Sequence, residues 1–524
     1  MRDASRANNV ITLIVTCLGS FMILLDSSIV VLALPQIQAD LHANLSDLQW
    51  TVDAYTLPFA VLTITAGTLG DSFGRKRFLL IGLLLFLLGS TLCGFAPTLA
   101  WLLVGRVAQG VGAAALGTSS LAVLVAAYAD PRARAQAIGL WSGISGVALA
   151  AGPLLGGLLV QAGSWPLIFL VNLPIGLIAL ALAWPKLAES RNPNAQRFDL
   201  LGQLLVIAGL TCLVLALIES SSQGWISPLI LGLLLGAALL LAAFLLVEMR
   251  IREPLLPLSL FGSRVFSVAN LVALLVGFAS YGLIFFLAQY FQQVQGNTVL
   301  EAGVRTFPLS IGIFITAPIA GRIVSRIGSR LPIMFGSLLA GGAAFLLIGL
   351  EPDTSYASVW WRLGLLGIGF GLILSPAAVF SATPPQRAGL GSSMFNTSNR
   401  VGNTVGVAVL GAVVVQLFSG NIASQLTSAG VSPSISATIA NTLAAAGGQA
   451  SQLHLSGRLP VSPAVLHQAL NQAFVDSIHG AFLIGAIAFI AAALLVAFLF
   501  PQQRGAKTSA APSEARVPEE VSAL

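Results

Sequence analysis

Asp26, Asp53 and Arg106 each fall within a long apolar run of this chain, where an ionised side chain is costly. A carboxylate so placed usually faces a cavity or a charged partner. Desolvation raises the proton affinity of a carboxyl group and a nearby guanidinium lowers it, so a pair whose spacing differs between two conformations can take up and release a proton. Asp26 and Asp53 are candidate proton carriers in that sense, with Arg106 as the modulating cation. The alternatives are a permanently satisfied ion pair for Asp26 with Arg106 and a headgroup-wetted interfacial position for Asp53. No His competes for the role, because His42, His454, His467 and His479 all lie between the apolar runs. Gln109 shares nearly the same helix face as Arg106, placed either to contact cargo or to hold the guanidinium.

The elements that must position these residues are long and apolar. The chain is 56% hydrophobic and 8% charged, with a mean hydropathy of +0.91, so most of its surface must meet lipid. A hydrocarbon core of roughly 30 Å takes about 20 apolar residues per helix. Fourteen runs approach or exceed that length: residues 11–34, 50–69, 78–95, 99–127, 137–160, 167–184, 200–218, 226–247, 265–290, 302–323, 331–350, 359–380, 401–418 and 481–500. Alternation with period two is absent, which argues against a barrel. The first run is too long for a cleaved leader and carries Asp26, so it is read as a retained span. Cys17, Cys93 and Cys212 all sit in spans and act as small apolar residues, implying neither a disulfide framework nor a metal site.

Charge gives the orientation. An even number of crossings puts both termini on one side, and with a cytoplasmic amino terminus twenty of the 25 Lys and Arg residues face the cytoplasm. The net charge of +6 then reflects orientation and anionic lipid, with no nucleic-acid partner. On this reading Asp26, Asp53 and Arg106 all occupy the outer half of the amino-terminal spans and are close enough in depth to form one polar cluster.

An internal repeat supplies the architecture. The stretch from Gly67 to Arg77 superposes on that from Gly321 to Leu331, with Gly67 on Gly321, Gly74 on Gly328 and Lys76 on Arg330. The two copies follow spans two and ten. A displacement of eight spans implies two six-helix halves with two helices inserted between them, and parallel repeats of this kind place a substrate site near the membrane midplane. The expected fold is an all-α polytopic membrane protein divided into residues 1–198, an inserted pair 199–256, residues 257–500 with an outer loop 419–478, and a disordered cytoplasmic tail 501–524. In the first copy Gly67, Gly70 and Gly74 permit tight turning and close helix approach, Asp71 is placed for a helix amino terminus or a base such as Arg132 or Arg134, and Arg75 and Lys76 anchor the cytoplasmic side. Gly152, Pro153, Gly156 and Gly157 are expected to bend the fifth span and pack it closely against a neighbour.

At these residues the chain resembles the major facilitator superfamily, in particular its fourteen-helix drug/proton antiporter branch, over about residues 11–500. Leu25-Asp26-Ser27-Ser28 through Pro35 resembles the first-helix signature, and Gln49-Trp50-Thr51-Val52-Asp53-Ala54-Tyr55 the opening of the second helix. The Gly67–Arg77 stretch resembles the hallmark loop, Arg106 to Gly112 the fourth-helix motif, and Gly152 to Gly157 the fifth-helix motif associated with exporters. Val31 stands where the branch usually has Asn, and Ser72 where the loop usually has Arg. The segment from Asn396 to Gly406, holding Arg400, resembles the branch as well, its small residues suiting close packing and Arg400 suiting a carbonyl or lipid-phosphate partner.

The carboxy-terminal spans hold no buried acid. Their polar handles are Tyr281, Gln289, Tyr290, Gln292 and Asn396, with Phe285 and Phe286 beside them; Gln109, Tyr281, Phe285, Gln289 and Asn396 are expected at a substrate cavity. No span carries a catalytic constellation and no Gly-rich lysine loop is present, so neither an enzyme nor an ATP-driven pump is implied, and no cofactor. The expected function is export of amphipathic, cationic or neutral organic compounds in exchange for protons, by a plasma-membrane monomer in contact with lipid. The alternatives are an exporter of one antibiotic or metabolite and a transporter-like sensor.

Overall fold

A chain in lipid must satisfy every backbone amide and carbonyl within its own segment, so apolar runs of this length fold as helices. The computed structural model describes residues 2–128, 130–191, 199–251, 254, 258–373, 388–428, 430–437, 440 and 463–500. Its helices are α1 (Arg2–Leu41), α2 (Leu45–Phe73), α3 (Arg75–Gly94), α4 (Leu99–Ala127), α5 (Pro131–Gly163), α6 (Leu167–Leu170), α7 (Asn172–Lys186), α8 (Leu200–Gln223), α9 (Pro228–Glu248), α10 (Arg264–Gln289), α11 (Val299–Ile327), α12 (Arg330–Leu346), α13 (Tyr356–Ile373), α14 (Ala388–Ser428) and α15 (Pro463–Leu499). Among the described residues twelve spans are long and apolar enough to cross a membrane, α6 and α7 together forming one of them. The long helices α2 and α5 lie outside that twelve and pack within the same multi-pass bundle.

The expected loop from Gly67 to Arg77 is mostly helix. Gly67 to Phe73 complete α2, Arg75 opens α3, and the chain turns on Gly74 alone, whose φ of +115° few L side chains adopt. Gly328 turns the second copy at φ +83°. The displacement that carries Gly74 onto Gly328 also carries Asn44 onto Thr298 and Asp47 onto Glu301, and both pairs form reciprocal capping boxes, on α2 and α11. The duplication is thus written at both ends of the same helix. The Asp71, Arg132 and Arg134 side chains lie outside the described residues. Glu189 serves the amino terminus of α3, accepting from the Lys76 and Arg77 amides at 3.1 and 3.3 Å. A Cβ on Gly74 would lie 2.7 Å from that carboxylate. Gly74→Ala is therefore expected to destabilise the protein by about 1–3 kcal/mol, read as lower thermal stability in detergent.

Helices in lipid gain little from apolar contact alone, so close approach at small residues holds them together. α3 and α4 mesh through two glycine pairs. A Cβ at Gly89 would meet the Gln109 amide nitrogen at 2.6 Å, and one at Gly112 the Phe86 amide nitrogen at 2.5 Å; Gly82 and Gly105 occupy the reciprocal positions. Gly277, Gly402 and Gly406 serve the contact between α10 and α14 in the same way. α5 runs as one helix through Gly152 and Pro153; Gly156 lies against Ile29 of α1, and Gly157 faces the Leu300 Cα of α11.

This last contact brings the start of α11 to the end of α5, so Gly74 and Gly328 share one face of the bundle and His42 lies on the other. Towards the His42 face α1–α7 meet α10–α15 through hydrogen bonds. Gln292 Nε2 donates to Leu32 O at 3.0 Å, Gln293 Nε2 to Gln38 Oε1 at 2.9 Å, and Gln49 Nε2 to Val407 O at 3.3 Å. α14 runs well past the expected end of its span, to Ser428, and α15 starts at Pro463, so much of the expected 419–478 loop is helical; Phe418, Ile422 and Leu426 pack there on Ala469, Leu470 and Ala473. The expected boundaries near residues 198 and 256, and the tail 501–524, lie outside the described residues.

Candidate functional site

Asp26 and Arg106 form a pair sealed from solvent. Arg106 Nη1 lies 2.5 Å from Asp26 Oδ2, with Arg106 1% exposed and Asp26 not at all. α1 supplies the carboxylate and α4 the guanidinium. Asp26 Oδ1 accepts from Gln109 Nε2 at 2.8 Å and from Asn172 Nδ2 at 3.2 Å, and both amides also donate to Ser90 Oγ. Gln109 Oε1 accepts from Arg106 Nη1 at 2.9 Å, while Arg106 Nε donates to Thr51 O at 3.0 Å. The Tyr55 ring lies 4.3 Å from the guanidinium carbon, adding cation–π attraction in a dry setting.

Gln109 thus holds the pair and does not face open space; it is wholly buried. Asn172, Ser90 and Tyr55 complete the cradle and were not singled out by sequence. An amide at position 172 inside an apolar run carried a usable signal, because polar groups in spans seek partners. A lone serine such as Ser90 carried none. The glycine seam between α3 and α4 sets the geometry: Gly89 precedes Ser90 and abuts the Gln109 backbone.

Asp53 does not join this cluster. α2 and α14 run antiparallel in contact, and Asp53 is wholly buried and tied towards α14 rather than wetted at an interface. Thr56 Oγ1 donates to Asp53 Oδ1 at 3.1 Å, which leaves Thr404 Oγ1 to donate to Thr56 across 2.9 Å. Asp53 Oδ2 has no partner among the described residues. The hydroxyl chain therefore links a buried carboxyl to the opposite group of helices, and a second guanidinium stands one turn further on: the Arg400 carbon is 3.4 Å from the Phe59 ring centroid.

The expected cavity residues divide. Tyr281 is partly exposed, close to Ser27 and Arg400, and Asn396 is exposed. Phe285 is 1% exposed and packs edge-on to Phe286 at 5.0 Å, a core position, not a cavity wall. Gln289 is equally buried, its amide without a partner among the described residues. Tyr290 donates to Glu351 O at 2.7 Å.

Comparison with known proteins gives the family. A family model described as Major Facilitator Superfamily matches residues 16–407. Multidrug resistance protein Stp of Mycobacterium tuberculosis (strain CDC 1551 / Oshkosh) is 39% identical over 498 residues, covering 93% of this chain and 90% of Stp. The tetracenomycin C resistance and export protein of Streptomyces glaucescens is 34% identical over 491 residues, 92% of this chain and 90% of that one. Among solved structures, a bacterial homologue of the human lysosomal transporter Spinster aligns with a TM-score of 0.62 at 19% identity, over 94% of this chain and 98% of the other. A D-xylose-proton symporter aligns at 0.61 with 13% identity, over the same 94% and 98%.

Proposed function

Because the chain belongs to the Major Facilitator Superfamily, we propose that it exports amphipathic organic compounds across the plasma membrane in exchange for protons. The observation that carries this reading is the dry Asp26–Arg106 pair inside its cradle of amides. In this reading Asp26 takes a proton when the guanidinium withdraws and releases it when the pair re-forms. One charge crossing the membrane potential gains about 2.3 kcal/mol per 100 mV, enough to drive accumulation against a gradient. Asp53, with its hydroxyl chain to Thr404, is a second proton-sensitive position in the same scheme.

In the fourteen-span arrangement proposed here, α2 and α5 complete the set. Residues 1–198 form one six-helix bundle, 199–256 the inserted pair and 257–500 the other bundle. The bias of Lys and Arg supports a cytoplasmic Gly74 face with both termini on that side. The hydrogen bonds towards the His42 face then close the outer side, so that in this reading Tyr281 and Arg400 are reached from within. Gly70, Gly74, Arg75 and Lys76 act at the inner gate, with Gly152, Pro153, Gly156 and Gly157 at the seam on which the bundles rock. The two curated relatives bear names for multidrug resistance and for export of one antibiotic, and both breadths fit this site.

Purified protein in sealed vesicles tests the proposal. A cargo-dependent pH change inside the vesicles is the expected result; solute movement with no accompanying pH change, under every imposed gradient, refutes proton exchange.

A further inference from the structure

Arg400 stands in an unusual electrostatic position. It projects from α14 onto Phe59, which lies halfway along α2 and hence near mid-membrane. Among the described residues it has neither a hydrogen bond nor an ion pair, and its titratable neighbours are the phenols Tyr55 and Tyr281. Among the described residues no acid is paired with it. Asp26 is saturated by Arg106, Gln109 and Asn172, and residues 374–393, outside the described backbone or side chains, contain no Asp or Glu. An unpaired cation within a span marks a functional position by default, because leaving it bare is costly.

Accessibility separates the charges at this depth. Arg400 and Tyr281 are partly exposed, whereas Asp26 and Asp53 are 0% exposed. A cationic cargo at this depth therefore meets neither Asp26 nor Asp53 in this conformation, while an oxygen anion finds a guanidinium. The Phe59 ring lies against that guanidinium and the partly exposed Tyr281 is nearby, a setting that suits an aromatic body. A guanidinium also offers a planar fork of donors that matches a carboxylate.

We infer that Arg400, with Phe59 and Tyr281, forms a cargo subsite for aromatic compounds bearing an anionic oxygen such as a carboxylate or phenolate. The inference rests on the export reading and narrows its substrate class, in place of the cationic or neutral cargo expected from sequence. Arg106 and Arg400 bracket one aromatic stack, since the Tyr55 and Phe59 rings meet edge-on at 5.6 Å. Cargo at Arg400 thus sits two rings away from the proton-carrying pair.

Two xanthene dyes of opposite charge test this: fluorescein, which is anionic, and rhodamine 6G, which is cationic. Binding to the purified full-length protein is read by fluorescence anisotropy, and transport in vesicles under an imposed pH gradient. Fluorescein should bind the natural protein, Arg400→Gln should weaken it at least tenfold, and Arg400→Lys, which keeps the charge but not the fork, should fall between the two. Rhodamine 6G binding should change less than twofold in either variant, which also guards against a folding defect. Preference for rhodamine 6G in the natural protein, or equal weakening of both dyes by Arg400→Gln, overturns the subsite. If rhodamine 6G exchanges for protons while fluorescein neither binds nor moves, the subsite falls and the export reading stands. If fluorescein binds through Arg400 yet neither dye moves, the export reading falls and the subsite stands. Failure of both dyes in both assays refutes both.

Discussion

Asp26→Asn is expected to reduce cargo-driven proton movement to the level of empty vesicles while leaving the protein inserted. The amide keeps the shape of the carboxylate but cannot take up a proton. Its NH2 group also faces a ring of donors, because Arg106 Nη1, Gln109 Nε2 and Asn172 Nδ2 all point at this side chain. At least one donor-to-donor conflict is unavoidable: in the Oδ2 place the NH2 meets Arg106 Nη1, and in the Oδ1 place it meets Gln109 Nε2 even if Asn172 turns to present its Oδ1, which has no partner among the described residues. Arg106 meanwhile becomes a buried cation without its anion, a loss of about 3–5 kcal/mol where such pairs have been broken. Thermal stability should therefore fall together with exchange. Asp26→Glu retains a titratable group and should keep measurable exchange at a reduced rate. Accumulation by the Asn variant at the natural rate, with the usual pH change, removes Asp26 from the proton path.

The second large effect is expected far from any charge. Gly89→Val places a branched side chain where even a Cβ would lie 2.6 Å from the Gln109 amide nitrogen and 2.7 Å from Gly105 O. Backbone cannot move aside as the tip of a side chain can, so α3 and α4 must separate. Overpacking of this kind costs about 1–3 kcal/mol and sometimes more. The displaced helix carries Arg106 and Gln109, so the Asp26 cradle loses its register as well. Low yield of folded protein is the first expected readout; at permissive temperature, exchange should be lost more completely than thermal stability. Substituting the exposed Leu88, one residue earlier on α3, should have little effect on either and serves as the control. Natural stability and activity in the Gly89→Val variant would contradict the glycine seam.

Much of the fold was legible because lipid leaves a chain few choices. Run length alone located the helices, and Gly74 and Gly328 marked the duplicated turn. Helical continuation was harder to read: polar residues after Ser419 and around Asp71 resemble loop, yet the backbone stays helical there because neighbouring helices and local hydrogen bonds support it. In the site, the pairing of Asp26 with Arg106 followed from their types and shared depth. The separation of Asp53 did not, since depth along a span says nothing about which face of α2 a residue occupies. Phe285 and Gln289 show the same gap on α10, where residues expected in a cavity turn into the core. Arg400 was visible as a charge, but its lack of an acidic partner emerges only when the helices are assembled.

The named hydrogen bonds that join the two groups of helices, from Gln49, Thr56, Gln292 and Gln293, are made by uncharged amides and hydroxyls. Mobile ions screen charges and leave such neutral bonds nearly untouched. The balance between shut and open forms at that seam should accordingly hold steady from dilute to briny surroundings, so that osmotic stress leaves the timing of the cycle to protons and cargo.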